Sequence, residues 1–239
     1  MPRGKVDGQP AYVLHTRPYR ETSLIVEAFS RDHGRVALLA RGARRPHSAL
    51  RGLLMGFQPL ELSWSGKGEV LTLMRAEWQG GQPLLTGLAL FCGYYLNELL
   101  LRLLPREDPH PRLFERYMQI LVHLGYAPPG RVDEADLRAF ERALLTELGY
   151  GLNLEQDCQG RPIEAGRCYR YEIERGAVPA AAGEAGWVAG QTLIDMRGDN
   201  YADPVTRQEA KQLMRRLLAH YLDGVELESR KLVRELQDL

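Results

Sequence analysis

Cysteine is scarce in this sequence, and its few cysteines are widely spaced. The chain of 239 residues has 3 cysteines, at positions 92, 158 and 168. A structural zinc ion needs four ligands, and no histidine lies close enough to Cys158 and Cys168 in the sequence to complete a set. The scarcity excludes a disulfide-rich secreted module. It predicts reduced thiols, a cytoplasmic location and no bound metal.

Long apolar runs are also missing. The longest starts at Leu84 and reaches Leu96, after which Asn97 and Glu98 interrupt it. A membrane-spanning helix needs about 20 predominantly apolar residues, so this run predicts a buried helix and no membrane partner. The opening stretch MPRGKVDGQPAY has no apolar core of the kind found in a signal peptide.

The sequence lacks the common catalytic motifs. It contains no P-loop pattern and no HExxH, GxSxG or CxxC. The stretch SGKGEVL has Leu71 where a dinucleotide-binding loop would need a further glycine. Its histidines are scattered along the chain. We therefore predict a binding protein without a cofactor and without catalytic activity.

One carboxylate series leaves a hydrolase or nuclease open as an alternative. Asp195, Asp199 and Asp203 recur at a spacing of four residues, which could place them on one helical face. Gly198 and Asn200 lie between them and argue against a continuous helix there. This spacing alone is weak support for a metal-dependent active site.

Acidic residues are absent between Asp32 and Glu61, and this gap contains a basic segment. The stretch ARGARRPHSALRGLL, residues 40–54, holds four arginines and one histidine. The whole chain has a formal net charge of zero, but residues 1–80 carry 12 Lys and Arg against 7 Asp and Glu. A basic first part joined to an acidic remainder indicates that the first part meets a polyanion.

The first eighty residues have the pattern of short strands. Five segments rich in β-forming residues are separated by Gly, Pro and Asp turn signals: AYVLHTRPY, ETSLIVEAFS, GRVALLARGAR, GFQPLELSWSG and GEVLTLMRAEW. Five antiparallel strands in so short a stretch are typical of an OB-fold barrel. We therefore predict an α+β protein with an OB-fold domain at residues 1–80, followed by a mainly α-helical domain at residues 81–239.

The basic segment falls between the third and fourth predicted strands, where Pro46 and Gly52 favour a loop. Arginine suits phosphate contact because its planar guanidinium matches the phosphate oxygens. The candidate DNA-binding residues are Arg35, Arg41, Arg44, Arg45, His47 and Arg51. Aromatic residues that could stack on bases are Tyr12, Tyr19, Phe57 and Trp64, although Phe57 and Trp64 fit the barrel core better.

The remaining sequence has helical periodicity with one interruption. Leu88, Phe91, Cys92, Tyr95, Leu99 and Leu103 form the expected buried stripe of the first helix. A second helix is expected to end at Gly125, and Asp133 and Asp203 are predicted N-caps of later helices. Residues 150–192 predict an irregular insertion with a strand pair formed by CYRYEIERG and GWVAGQTL.

Two basic groups on these helices could bind an acidic peptide. Arg207, Lys211 and Arg215 recur every four residues, and Arg138 and Arg142 form a similar pair beside an apolar face. An acidic peptide with an apolar end would suit such a mixture of charge and apolar surface. A solvated helix face, with Glu209 nearby, is the favoured explanation of the first group.

Several phrases, taken together and in order, resemble the RecO family of bacterial recombination mediators. They are VLHTRPYRETSLIVEAFSRDHGRVALLARGARRP, YYLNELLLRLL, DPHPRLFERY, LRAFERALLTELGYGLNL and LESRKLVREL. The resemblance implies an OB-fold followed by a helical domain. It also implies binding to single- and double-stranded DNA, annealing of complementary strands, and cooperation with RecR in loading RecA. It further implies binding of the acidic C-terminal tail of the single-stranded DNA-binding protein SSB.

Three departures from the family pattern change these expectations. Glu228 stands where the family commonly has a lysine, which argues against DNA contact by the last helix. His47 and Ala49 stand where the family often has further basic residues, which predicts weaker DNA binding that strengthens at acidic pH. Some family members carry a four-cysteine zinc site in the region of Cys158 to Cys168, and this sequence lacks it. The alternative function is a protein-interaction adaptor whose OB domain docks an acidic partner with little direct DNA contact.

Overall fold

The computed structural model describes residues 4–237, and the side chains of residues 4–232. Its first strands are β1 (Val6–Tyr19), β2 (Ser23–Ser30) and β3 (Gly34–Ala40). A one-turn helix α1 (Leu50–Leu53) precedes β4 (Leu60–Ser65) and β5 (Val70–Trp78). The five strands form a closed barrel in the order β1-β2-β3-β5-β4, in which β3 and β5 pair in parallel and the other pairs are antiparallel. This confirms the predicted α+β class and the five-stranded barrel.

The barrel closes around alternating apolar side chains. Val26, Ala28, Val36, Leu38 and Leu62 belong to one buried cluster inside it. Successive side chains of a strand point to opposite faces, so alternate residues of each strand enter this core. The long β1 pairs with both β2 and β4, and each of these two pairings contains one irregularity in its register.

The rest of the described chain forms six helices and three short strands. The helices are α2 (Gly87–Leu103), α3 (Pro111–Tyr126), α4 (Glu134–Glu147), α5 (Gly190–Arg197), α6 (Pro204–Tyr221) and α7 (Glu228–Gln237). A small sheet has the order β7-β6-β8, made of β6 (Cys168–Glu172), β7 (Gly176–Ala180) and β8 (Trp187–Ala189). No helix of the described residues is both long enough and apolar enough to cross a membrane.

The chain divides into two compact units. The first contains residues 1–132 and 227–239, and the second contains residues 133–226. Within the first unit, Tyr12 and Phe29 of the barrel pack against Phe114 and Tyr117 of α3. The Asn97 amide donates to the Leu14 carbonyl at 2.8 Å, so this buried polar group of α2 is satisfied by β1.

Three local predictions differ from the structure. Helix α2 buries Leu96 and Leu100, whereas Leu88 is exposed, because this apolar helix offers no single clear stripe. Helix α3 continues through Gly125 to Tyr126. The strand pair expected near residues 168 and 187 forms, but β7 was missed, and GQTL begins α5 instead of extending β8.

The predicted caps are confirmed. The Asp133 carboxylate accepts a hydrogen bond from the Ala135 amide at 2.9 Å, and the Asp203 carboxylate accepts one from the Thr206 amide at 2.9 Å. Pro204 occupies the first turn of α6, where its missing N–H costs no hydrogen bond. These caps define where α4 and α6 begin.

Candidate nucleic-acid interface

The segment between β3 and β4 forms an ordered loop with its arginines outside. We call residues 41–51 the arginine loop. Ala43 is fully buried with the barrel core, while its neighbours Arg41 and Arg44 are exposed. The loop thus begins with one apolar side chain pointing inward and charged side chains pointing outward. Leu54 returns the chain to the same core after α1.

Backbone hydrogen bonds at regular intervals give the loop a defined shape. The amide of Arg45 donates to the Gly42 carbonyl, that of Ser48 to the Arg45 carbonyl, and that of Arg51 to the Ser48 carbonyl, each at 3.1 Å. Gly42 begins this series with a φ of +69°, a conformation that glycine adopts without a Cβ penalty. The arginine loop is therefore a series of turns instead of a long unstructured connection.

Arg44 joins the arginine loop to the β1–β2 hairpin. Its amide donates to the Thr22 carbonyl at 2.8 Å. Its guanidinium donates to the carbonyls of Arg20 and Glu21 at 3.4 and 3.3 Å. Arg44 is thus a positioning residue, and the hairpin turn and the loop are neighbours on the barrel surface.

Three arginines of the loop are available to a ligand. Among the residues that the structure describes, the side chains of Arg41, Arg45 and Arg51 are exposed and make no ion pair or hydrogen bond within the chain. His47 is exposed between them. A loop of unpaired like charges gains no stability from its own repulsion, so its charges favour an anionic partner.

The hairpin adds two residues to this surface. Arg20 places its guanidinium 5.4 Å from the centre of the Tyr19 ring, and Tyr19 is 37% exposed. Sequence reasoning named Tyr19 but missed Arg20. The sequence did indicate that Arg20 could be exposed, because it lies just after the turn-forming Arg17-Pro18 pair, in a stretch with two arginines. Glu21 is the one acidic residue beside Arg44 in this turn.

The other proposed stacking residues are inside the protein. Tyr12, Phe57 and Trp64 are buried. Trp64 belongs to the barrel core as predicted, whereas Phe57 is buried beside α2, where its ring centre lies 5.2 Å from that of Tyr94. Burial raises the pKa of Tyr12 to about 12. Trp64 packs edge-on against His33 at 5.4 Å between ring centres. These three aromatic rings therefore stabilise the first unit and offer no face to a base.

Arg35 lies apart from the arginine loop. It stands at the opposite end of β3 from Arg41, roughly 20 Å away at about 3.3 Å per strand residue. Its guanidinium donates to the Leu104 carbonyl at 3.1 Å and pairs with the buried Glu27 at 3.4 Å. Burial lowers the pKa of Arg35. With Arg106 also paired to Glu27, this placement favours a structural role for Arg35.

The basic residues of the second unit are mostly engaged within it. Arg138 is buried and pairs with the fully buried Glu141 at 2.7 Å, so it cannot present its charge at the surface. Arg142 pairs with Asp199 at 2.9 Å. These contacts argue against the Arg138–Arg142 pair as a peptide dock.

The α6 stripe is also partly occupied. Arg207 donates to the carbonyls of Tyr201 and Ala202 at 3.0 and 2.7 Å, and Lys211 pairs with Glu134 at 2.8 Å. Among the described residues, Arg215 alone of the five candidates is exposed without a hydrogen bond or ion pair. The second unit thus offers fewer free cations than the sequence suggested.

The carboxylate series does not converge on one site. Asp195 accepts hydrogen bonds from Gln191 and Thr206, Asp199 pairs with Arg142, and Asp203 caps α6. Within residues 4–237, no group of three or more His, Cys, Asp or Glu is arranged to hold a metal ion. Each of the three acids therefore has a local structural contact of its own.

Comparison with models of known protein families finds matches for both parts of the chain. Residues 8–81 match the model for the N-terminal part of recombination protein O, and residues 84–231 match the model for its C-terminal part. The chain belongs to the RecO family. The suspected resemblance is thereby confirmed over nearly the whole described chain.

Several curated relatives match this chain over nearly all of its length. A DNA repair protein RecO from Dechloromonas aromatica is 64% identical over 239 residues, covering 99% of each chain. Those from Aromatoleum aromaticum and Nitrosospira multiformis are 56% and 51% identical, covering 98% of this chain and 98% and 97% of theirs. Family membership supports a role in DNA repair and recombination.

Proposed function

We propose that this protein binds single- and double-stranded DNA through the arginine loop and anneals complementary strands, without catalytic activity or a cofactor. The observation that carries the proposal is the group of exposed, unpaired side chains of Arg41, Arg45 and Arg51 on one ordered loop of the barrel. Membership of a DNA repair family makes the phosphate backbone the natural anionic partner.

Annealing requires two negatively charged strands to approach each other, and a basic loop can reduce the repulsion between them. Two DNA strands repel each other, and each phosphate bound by an arginine releases condensed counterions into solution. A basic surface that holds one strand therefore lowers the repulsion met by the second. Contacts to phosphate contain no base information, so we expect binding and annealing to be independent of sequence.

The β1–β2 hairpin favours single strands over duplex. Tyr19 exposes part of its ring beside the loop, and aromatic rings stack on unpaired bases of any identity. In a duplex the bases are already stacked on one another, so Tyr19 has less to contribute there. We expect the arginine loop to contact both forms of DNA and Tyr19 to add affinity for single strands.

We further propose that the protein acts with RecR to load RecA onto single-stranded DNA covered by SSB. The acidic SSB tail would bind in the helical part of the chain. Arg215 is the candidate contact that remains accessible, whereas Arg138 is buried. A tail-peptide titration against Arg215→Ala measures this contribution, and unchanged affinity would remove Arg215 from the site.

A strand-annealing assay tests the central proposal. Two complementary labelled oligonucleotides are mixed with the intact protein or with the Arg41/Arg45/Arg51→Ala variant, and duplex formation is followed by energy transfer. The intact protein should accelerate annealing and the variant should lose most of that acceleration. If the intact protein neither binds DNA nor anneals it, the protein-interaction adaptor becomes the better explanation of the basic loop.

A further inference from the structure

The second unit contains a cavity whose lining includes none of the basic residues considered above. Its volume is about 310 Å³, and its lining includes Tyr150, Tyr171, Tyr221, Leu152, Leu217 and Glu174. Ligand pockets commonly occupy about 300–1,000 Å³, so this one has room for a single side chain or a small group. The stretch LGYGLNL, which helped to identify the family, supplies one of its walls.

The backbone after α4 fixes the position of Tyr150. Gly149 has a φ of +83° and donates its amide to the Thr146 carbonyl at 3.0 Å, while the Tyr150 amide donates to the Leu145 carbonyl at 2.7 Å. These two bonds are the Schellman termination of a helix. The chain therefore leaves α4 in one defined direction, with Tyr150 directly after the turn.

The opposite wall comes from α6. Tyr221, at its last residue, stacks against Tyr150 with ring centres 4.3 Å apart and ring planes 21° apart. Tyr171 of β6 lines the same cavity, and burial raises its pKa. Three aromatic rings thus border one small cavity, and Leu152 and Leu217 add apolar surface.

The cavity lining carries negative charge and no positive charge. Glu174 is its only charged lining residue, and within the described part of the chain its side chain has no hydrogen bond or ion pair. The adjacent Arg175 does not neutralise it, because Arg175 pairs with Glu172 at 3.0 Å. Aromatic faces and an unpaired carboxylate both attract a cation, and neither attracts an anion.

We propose that this cavity binds an arginine side chain of a partner polypeptide. A guanidinium is planar and weakly hydrated, so it stacks on aromatic rings while it pairs with a carboxylate. Its aliphatic stem would lie against Leu152 and Leu217, as long basic side chains do on apolar surfaces. The charge preference is opposite to that of the arginine loop, so the two sites would select different partners.

The test is an NMR titration of the full chain carrying labelled tyrosine rings. The probe is the capped tripeptide Gly-Arg-Gly, and its control replaces arginine by citrulline, which has nearly the same shape without the charge. The arginine peptide should shift the Tyr150 and Tyr221 ring signals in a saturable way. The citrulline peptide should bind about two- to fivefold more weakly, as expected for one lost exposed charge pair.

Matched variants separate the cavity from the general surface. Glu174→Gln should weaken the arginine peptide about fivefold. Glu155→Gln removes an exposed, unpaired carboxylate outside the cavity and should leave binding unchanged. Equal binding of both peptides, or no effect of Glu174→Gln, would overturn the proposal. Tighter binding of spermidine than of the peptide would assign the cavity to a free polyamine instead.

Discussion

The salt dependence of DNA binding gives the sharpest test of the arginine loop. The perturbation is the triple variant Arg41/Arg45/Arg51→Ala. Arg44 is kept because its guanidinium and amide hold the hairpin, and its loss would disturb the loop itself. The three substituted side chains are exposed and unpaired in the described structure, so we expect the unfolding free energy to change by less than about 0.5 kcal/mol.

The expected magnitude follows from counterion release. Each phosphate contact to a single strand contributes about 0.7 to the slope of log affinity against log salt, so three contacts contribute about 2. Between 50 and 200 mM salt, the intact protein should therefore lose about 20-fold more affinity than the variant. The measurement is fluorescence anisotropy of a labelled oligonucleotide at five or more salt concentrations.

A charge-matched control separates local contact from overall charge. Arg112, Arg131 and Arg197 are also exposed, and their side chains are unpaired within the described residues. Their replacement by alanine removes the same net charge outside the loop. We expect this control to keep nearly the full slope. If both triple variants lose the same slope, net charge and not the arginine loop determines DNA binding, and the proposed interface is refuted.

Three further predictions concern neighbouring residues. Glu21→Gln should strengthen DNA binding about threefold in the same anisotropy assay, because it removes a carboxylate beside the phosphate path; weaker binding would contradict this. Tyr19→Ala should weaken single-strand binding about tenfold while Tyr19→Phe retains it, as expected for loss of one base stack; equal losses would point to the hydroxyl instead. Arg35→Met should lower the unfolding free energy by about 2 kcal/mol in a denaturant titration, because Glu27 loses a partner, and should leave the salt slope intact; a reduced slope would return Arg35 to the DNA site.

The barrel was predictable because each strand shows its pattern locally. Alternating apolar residues between strong turn signals define β1 to β5, and the acid-free gap marks the arginine loop. The strand β7 was not predictable in this way. Its sequence GAVPA has little β-forming character, and it exists because it pairs with β6.

The exposure of the site residues was predictable for arginines that have no acidic residue near them in the sequence. Arg41, Arg45 and Arg51 are exposed, as the acid-free stretch around them predicted. Arg138 could not be predicted in this way. It is an arginine too, but it is buried and pairs with Glu141, three positions along the same helix. The elements that pack against this helix could not be identified from the sequence. Periodicity identifies a helix, but the side chain that neutralises a charge is known only after packing.

The C-terminal helix α7 gives the molecule an insertion topology. Glu98 of α2 accepts hydrogen bonds from the amides of Glu228 and Ser229 at 3.0 Å each, so the start of α7 is anchored in the first unit. The whole second unit is therefore synthesised between two parts of the first. During translation the first unit cannot be completed until α7 has been synthesised. Its completion is therefore a late folding step that depends on contacts between residues far apart in the sequence. A circular permutant that links residue 239 to residue 1 and opens the chain between residues 226 and 227 would place α7 and residues 1–132 in one stretch ahead of the second unit and remove this delay.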